Sequence, residues 1–137
     1  MALLLSLAPI LGGCAREAPE QALRDTIAAM QAAAEARDTD ALFEPIAEDF
    51  AASEGMDRQG FRRYVTVMSL RNARVSVSLG PIDVKLFGDR ATADFTAAVS
   101  GGAGLLPENA QVYDVSTGWR MADGEWQLIS AKWTPKL

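Results

Sequence analysis

With 18 acidic and 13 basic side chains among 137 residues, the chain has a net charge of −5 and lacks the basic excess that nucleic acid requires. It contains no histidine, which removes the usual neutral-pH acid–base residue and the commonest metal ligand. Its single cysteine excludes an internal disulfide, so a domain of this length must be held by its core.

No charged residue precedes Arg16, and the apolar run from Ala2 to Leu11 is too short for the roughly twenty residues that span a bilayer. It has the length of a secretory signal core, with small residues after it where a peptidase cuts. Leu11-Gly12-Gly13-Cys14 resembles the bacterial lipobox, in which cleavage precedes a cysteine that has received a diacylglycerol. That resemblance implies a signal peptide over residues 1–13 and a lipid anchor and tether over 14–19, with Cys14 as the lipidated first residue. The basic residues that usually precede such a run are missing, which points to a start upstream of Met1. The expected location is the bacterial envelope, facing the periplasm. Ala15 stands where an Asp would resemble the inner-membrane retention signal, so the outer membrane is expected. Residues 15–19 reach at most about 17 Å, which keeps the domain beside its membrane.

Pro19 and Glu20 suit the first turn of a helix, and Leu23, Ile27, Met30 and Ala34 recur at helical spacing to about Asp38. Asp38-Thr39-Asp40 caps a second helix carrying Leu42, Phe43, Ile46 and Phe50, with a kink expected at Pro45. Asp57 caps a third, whose stripe is Phe61, Tyr64, Val65 and Met68. From Arg74 the period changes to two. Val75, Val77 and Leu79 alternate, Gly80-Pro81 interrupts, and Ile82, Val84 and Leu86 lead to a turn at Gly88-Asp89. Ala91 to Val99 returns, and 101–109 is a connection. Residues 112–121 and 125–133 form a hairpin across Asp123-Gly124. Three N-terminal helices followed by antiparallel strands predict an α+β domain with helices on one face of the sheet.

The element order, the Asp38-Thr39-Asp40-Ala41-Leu42 step and Glu48-Asp49-Phe50 resemble the nuclear transport factor 2-like (cystatin-like) superfamily. So do the closing Gly118-Trp119-Arg120, Asp123-Gly124-Glu125-Trp126 and Ser130-Ala131-Lys132-Trp133. The resemblance covers residues 20–137 and implies a cone whose curved sheet and helices enclose a pocket. That superfamily includes isomerases, dehydratases and many non-catalytic binding domains, so fold alone selects no activity.

No catalytic, cofactor or metal motif emerges. Dehydratases that rely on a catalytic histidine are excluded, and Tyr64, Asp94, Tyr113 and Asp114 are the remaining acid–base candidates. Asp38-Thr39-Asp40 fails as a calcium loop because Leu42 and Phe43 follow. Gly101-Gly102-Ala103-Gly104 lacks the Gly-Lys of a phosphate loop. Residues 15–57 carry a net −8 and 58–90 a net +5, so Arg58, Arg62, Arg63, Arg71 and Arg74 are read as partners of the acidic helices.

An unbroken final hairpin pairs Met121 with Trp126, Trp119 with Leu128, Thr117 with Ser130 and Val115 with Lys132. On that register Tyr113, Thr117, Ser130 and Lys132, joined by Tyr64, line a pocket for a small amphipathic ligand. Gly118, Ile129, Ala131 and Trp133 form an apolar patch on the opposite face, which suits a homodimer. The expected function is a lipid-anchored, non-catalytic binding domain with a pocket for a small amphipathic ligand or a protein partner. A structural accessory lipoprotein and an isomerase or dehydratase without histidine are the alternatives.

Overall fold

The computed structural model describes residues 18–102 and 109–136. The expected signal segment, Cys14 and part of the expected 101–109 connection lie outside the described residues.

Helix α1 (Pro19–Glu35) begins at its proline and lays Leu23 and Ile27 into the core. Asp38 then caps α2 (Thr39–Phe43), its carboxylate accepting from the Ala41 N–H at 3.1 Å. The second helix is shorter than its apolar spacing suggests. Pro45 lacks the N–H and clashes with the preceding turn, so the chain leaves helix and enters strand β1 (Ile46–Ala52). Ile46 and Phe50 fit a helical period, but in the structure Ile46, Ala47, Phe50 and Ala52 are the buried residues of a strand. This corrects the expected helix through Phe50.

Asp57 caps α3 (Arg58–Arg71) by accepting from the Gly60 N–H at 2.7 Å. Strands β2 (Arg74–Leu79), β3 (Asp83–Phe87), β4 (Arg90–Gly102), β5 (Asn109–Ala122) and β6 (Glu125–Pro135) complete the chain. The sheet order is β1-β6-β5-β4-β2, with β3 also on β4. The break at Gly80-Pro81 divides one edge between β2 and β3, and Gly80 still donates to Thr96 O at 2.9 Å. All pairings are antiparallel except β1 with β6. Asp123 and Gly124 take φ of 50° and 79°, the left-handed pair that a two-residue hairpin demands.

The fold is α+β, three helices against a curved mixed sheet of six strands, with strand β1 intervening before α3. The core joins Leu23, Ile27, Phe43 and Phe50 to Trp119, Trp126 and Leu128 of the final hairpin. Trp126 also ties the start of α1 to the sheet, its indole N–H donating to Pro19 O at 2.9 Å.

Candidate functional site

The final hairpin follows the expected register from its turn as far as Trp119 and Leu128. A bulge then intervenes. Gly118 pairs with Ser130, Thr117 with Ala131, Ser116 with Lys132 and Val115 with Trp133, so Ile129 is the extra residue. Because side chains alternate, one added residue exchanges the faces of everything beyond it. Ser130 and Lys132 therefore turn away from the helices, while Ala131 and Trp133 turn toward them. This overturns two expectations. The proposed pocket residues do not share one face, and the patch of Gly118, Ile129, Ala131 and Trp133 does not exist as a surface. Trp133 is covered by α3, its ring 5.5 Å from that of Phe61.

On the helix-facing side, Thr117 is 8% exposed and fully satisfied. Its hydroxyl donates to Ala93 O at 2.7 Å and accepts from the Trp119 indole N–H at 2.8 Å. With its hydroxyl bonded to these two buried partners, it is a core residue. Tyr113 lies further along the same face, half-buried and opposite Ala97. Burial raises its phenol above the ordinary value of 10.0, and the neighbouring Tyr64 charge adds to that rise. Tyr64 on α3 is thus near enough to Tyr113 on β5 for its charge to be felt there.

Helix α3 splits its expected stripe. Phe61 and Val65 pack on the core, whereas Tyr64 and Met68 remain 44% and 40% exposed. Val67 is 40% exposed, and with Tyr64 and Met68 it falls at i, i+3 and i+4, one uncovered apolar strip.

The opposite sheet face carries an open trough of ≈ 440 Å³, lined in part by Thr92, Asp94, Ser116, Gly118, Ser130 and Lys132. Ser130 leans over Gly118 so closely that a β-carbon there would collide with its Oγ. Asp94, Ser116 and Lys132 stand in one row across β4, β5 and β6. Asp114 also lies on this face, 3.8 Å from Lys136. The carboxylates of Asp94 and Asp114 are therefore on the other side of the sheet from Tyr113. Among the described residues no cluster of three potential metal ligands occurs.

Arg62 and Arg58 of the clustered arginines take different kinds of partner. Arg62 forms an ion pair with Asp40 of α2, the pairing that opposite net charges suggested. Arg58 instead donates to backbone, from Nε to Ile46 O at 3.1 Å and from Nη2 to Phe43 O at 3.0 Å. Sequence reasoning missed both this clamp and the bidentate Arg120–Asp49 pair at 2.8 and 2.9 Å, which lowers the Asp49 carboxyl below its ordinary value.

The placement of Tyr113 can be read spectroscopically, since the chain has only two tyrosines. In Tyr64→Phe, absorbance at alkaline pH should show one phenol titrating above 10.0, because burial persists without its neighbour. The neutral phenol is the form the folded state prefers. Its contribution is complete below the unfolded pKa and disappears as pH rises through the raised folded value. A phenol titrating at or below 10.0 would place Tyr113 in open water.

No family model and no curated protein sequence matches the chain. Solved structures do. Bd1075 of Bdellovibrio bacteriovorus superposes over 85% of this chain with a TM-score of 0.75 and 12% identity, the match spanning 40% of that longer chain. An NTF2-like protein of unknown function from Pseudomonas putida matches with a TM-score of 0.72 and 20% identity, covering 84% of each chain. A candidate dehydratase of the NTF2-like family from Streptomyces avermitilis gives 0.76 at 16% identity, over 86% of this chain and 97% of that one. The chain has the NTF2-like, or cystatin-like, fold, as its closing hairpin and element order suggested.

Proposed function

We propose that this chain is a lipid-anchored, non-catalytic binding domain of the bacterial envelope, taking a small neutral amphipath between α3 and β5. The observation that carries the reading is the uncovered strip of Tyr64, Val67 and Met68 on α3, with the half-buried Tyr113 of β5 on the helix-facing side of the sheet. Two phenols over apolar area supply ring contact with polar tips, the composition of a small-molecule site. With Lys132 on the opposite face, a fixed positive charge no longer favours an acidic ligand there. A dehydratase-like or isomerase-like reaction at Tyr113 would need a carboxylate beside it, and the nearby strands direct Asp94 and Asp114 elsewhere. Anchoring rests on the lipobox resemblance of Leu11-Gly12-Gly13-Cys14.

Two experiments separate these parts. Cys14→Ser should abolish uptake of labelled fatty acid and leave an unprocessed precursor. A processed, membrane-bound Cys14→Ser chain would remove the anchor from the account. For the site, the neutral dye N-phenylnaphthylamine should brighten on binding, and Tyr113→Ala should weaken it at least tenfold while Lys132→Ala leaves it unchanged. Equal loss in both variants would place binding on the trough instead.

The trough supports a second reading, a homodimer through the face that the bulge makes polar. Asp94 and Lys132 flank Ser116, about 10 Å apart at the usual strand spacing. A two-fold axis parallel to the strands and above Ser116 sets each Asp94 against Lys132 of the second copy, so the face is self-complementary. Asp94→Lys should then yield monomer in sedimentation, and adding Lys132→Asp should restore the dimer. A monomeric unmutated domain at high micromolar concentration would end this reading.

A further inference from the structure

We infer that the tip of the β3–β4 hairpin, with Phe87 at its end and Leu86 beside it, is a second membrane contact that orients the anchored domain on its bilayer. The inference rests on the lipid anchor proposed above. Phe87 is 61% exposed and Leu86 is 42% exposed, at a turn whose other residues are Gly88 and Asp89. They are consecutive at the end of β3 and so lie on opposite faces of the hairpin, Phe87 opposite Arg90 and Leu86 opposite the buried Ala91. Neither face of the sheet covers both.

Their position relative to the tether identifies the occupant. The turn lies at the end of the sheet that also holds the β5–β6 turn, fastened there by the Met121 N–H donating to Asp89 O at 2.7 Å. Met121 pairs with Trp126, and the Trp126 indole holds Pro19, where the tether enters α1. From Phe87 on β3 to Gln127 on β6 is three strand spacings through Arg90 and Arg120, about 14 Å. The tether reaches about 17 Å from Cys14. Acyl chains on Cys14 therefore hold this end of the sheet within reach of the lipid surface. Tethering raises the effective concentration of that surface, so two apolar side chains suffice where they would not bind from solution.

The surrounding charge sets the kind of surface. Asp89, Asp123 and Glu125 border the two turns against Arg90 on β4 and Lys85 on β3, while Arg120 is engaged by Asp49, which leaves the rim net acidic. This rim favours zwitterionic over anionic lipid.

The full lipidated chain carrying Asp89→Cys, labelled with the environment-sensitive dye NBD, tests the inference in phosphatidylcholine vesicles. Cys14 is acylated and takes no label. Emission should shift to shorter wavelength and be quenched by nitroxide-bearing lipid. The same label at Gln111→Cys, at the far end of β5, should remain in water. Adding Phe87→Asp should abolish the shift, and vesicles rich in phosphatidylglycerol should diminish it. If the chain floats with vesicles but the label stays in water, the inference is wrong and the anchor stands. A chain that fails to float overturns the anchor and the inference with it. A shift that appears without vesicles and grows with protein concentration means that a second copy covers Phe87, which also overturns the inference.

Discussion

Replacing Trp119 with alanine is expected to destabilise the domain by about 3–5 kcal/mol, the largest loss of any single truncation considered. The indole is 2% exposed and sits opposite Ala91 on β4 and Leu128 on β6, in the middle of the sheet. Its ring N–H donates to the Thr117 hydroxyl at 2.8 Å, and that hydroxyl keeps its own bond to Ala93 O when the ring is removed. The loss is therefore mainly transfer and cavity energy, with little from a stranded polar group. Against a typical total of about 5–15 kcal/mol, it should unfold a measurable fraction at room temperature. Urea denaturation should show a lowered midpoint with an unchanged slope. Tyr113→Ala, at the half-buried end of the same face, should move the midpoint far less. A tolerated Trp119→Ala together with an unfolded Tyr113→Ala would invert the assignment of core and site.

The second large effect is expected at Arg58. Its guanidinium donates to Phe43 O and Ile46 O, the carbonyls on either side of the corner where α2 becomes β1. It also stacks 5.6 Å from the centre of the Phe43 ring. Pro45 prevents the helix from continuing across that corner, so the carbonyls have no helical donors to use. Arg58→Ala should cost about 2–3 kcal/mol, the range for bonds to a charged group whose partners are then left unmet. Arg58→Lys should recover only part of it, because an ammonium cannot span two carbonyls as the planar fork does. Arg62→Ala is the comparison. Its exposed pair with Asp40 should contribute no more than about 1 kcal/mol. Equal losses at the two arginines would reduce Arg58 to a surface charge.

The contrast between these two arginines shows what the sequence made legible. Opposite net charges on neighbouring segments correctly suggested a pair such as Arg62 with Asp40. A side chain reaching main-chain carbonyls leaves no such trace, since every residue carries a carbonyl. Helix caps at Asp38 and Asp57 were readable because the cap and the N–H it accepts from lie three residues apart. The helix-to-strand change at Ile46 was not, because Ile46 and Phe50 satisfy both periods over so short a stretch.

The bulge is the instructive case. Trp126 and Leu128 are buried at even positions, while Ala131 and Trp133 pack inward at odd ones. That change of phase between 128 and 131 is the mark of one extra residue, and it is visible in the sequence. An unbroken ladder carried across it placed Ser130 and Lys132 beside Tyr113 and turned Trp133 outward. The placement of Tyr64 and Tyr113 is independent of β6. Tyr64 is on α3, and the β4–β5 ladder runs without interruption past Tyr113.

The central claim is that a small molecule occupies the space between Tyr64 and Tyr113. Native mass spectrometry of the chain purified from its own envelope tests it most directly, with the unmutated protein and Tyr113→Ala prepared alike. The account predicts a dissociable added mass on the unmutated chain that is lost or strongly depleted in Tyr113→Ala, while the melting temperatures of the two agree closely. A bare unmutated chain, or an added mass retained in full by Tyr113→Ala, would contradict it.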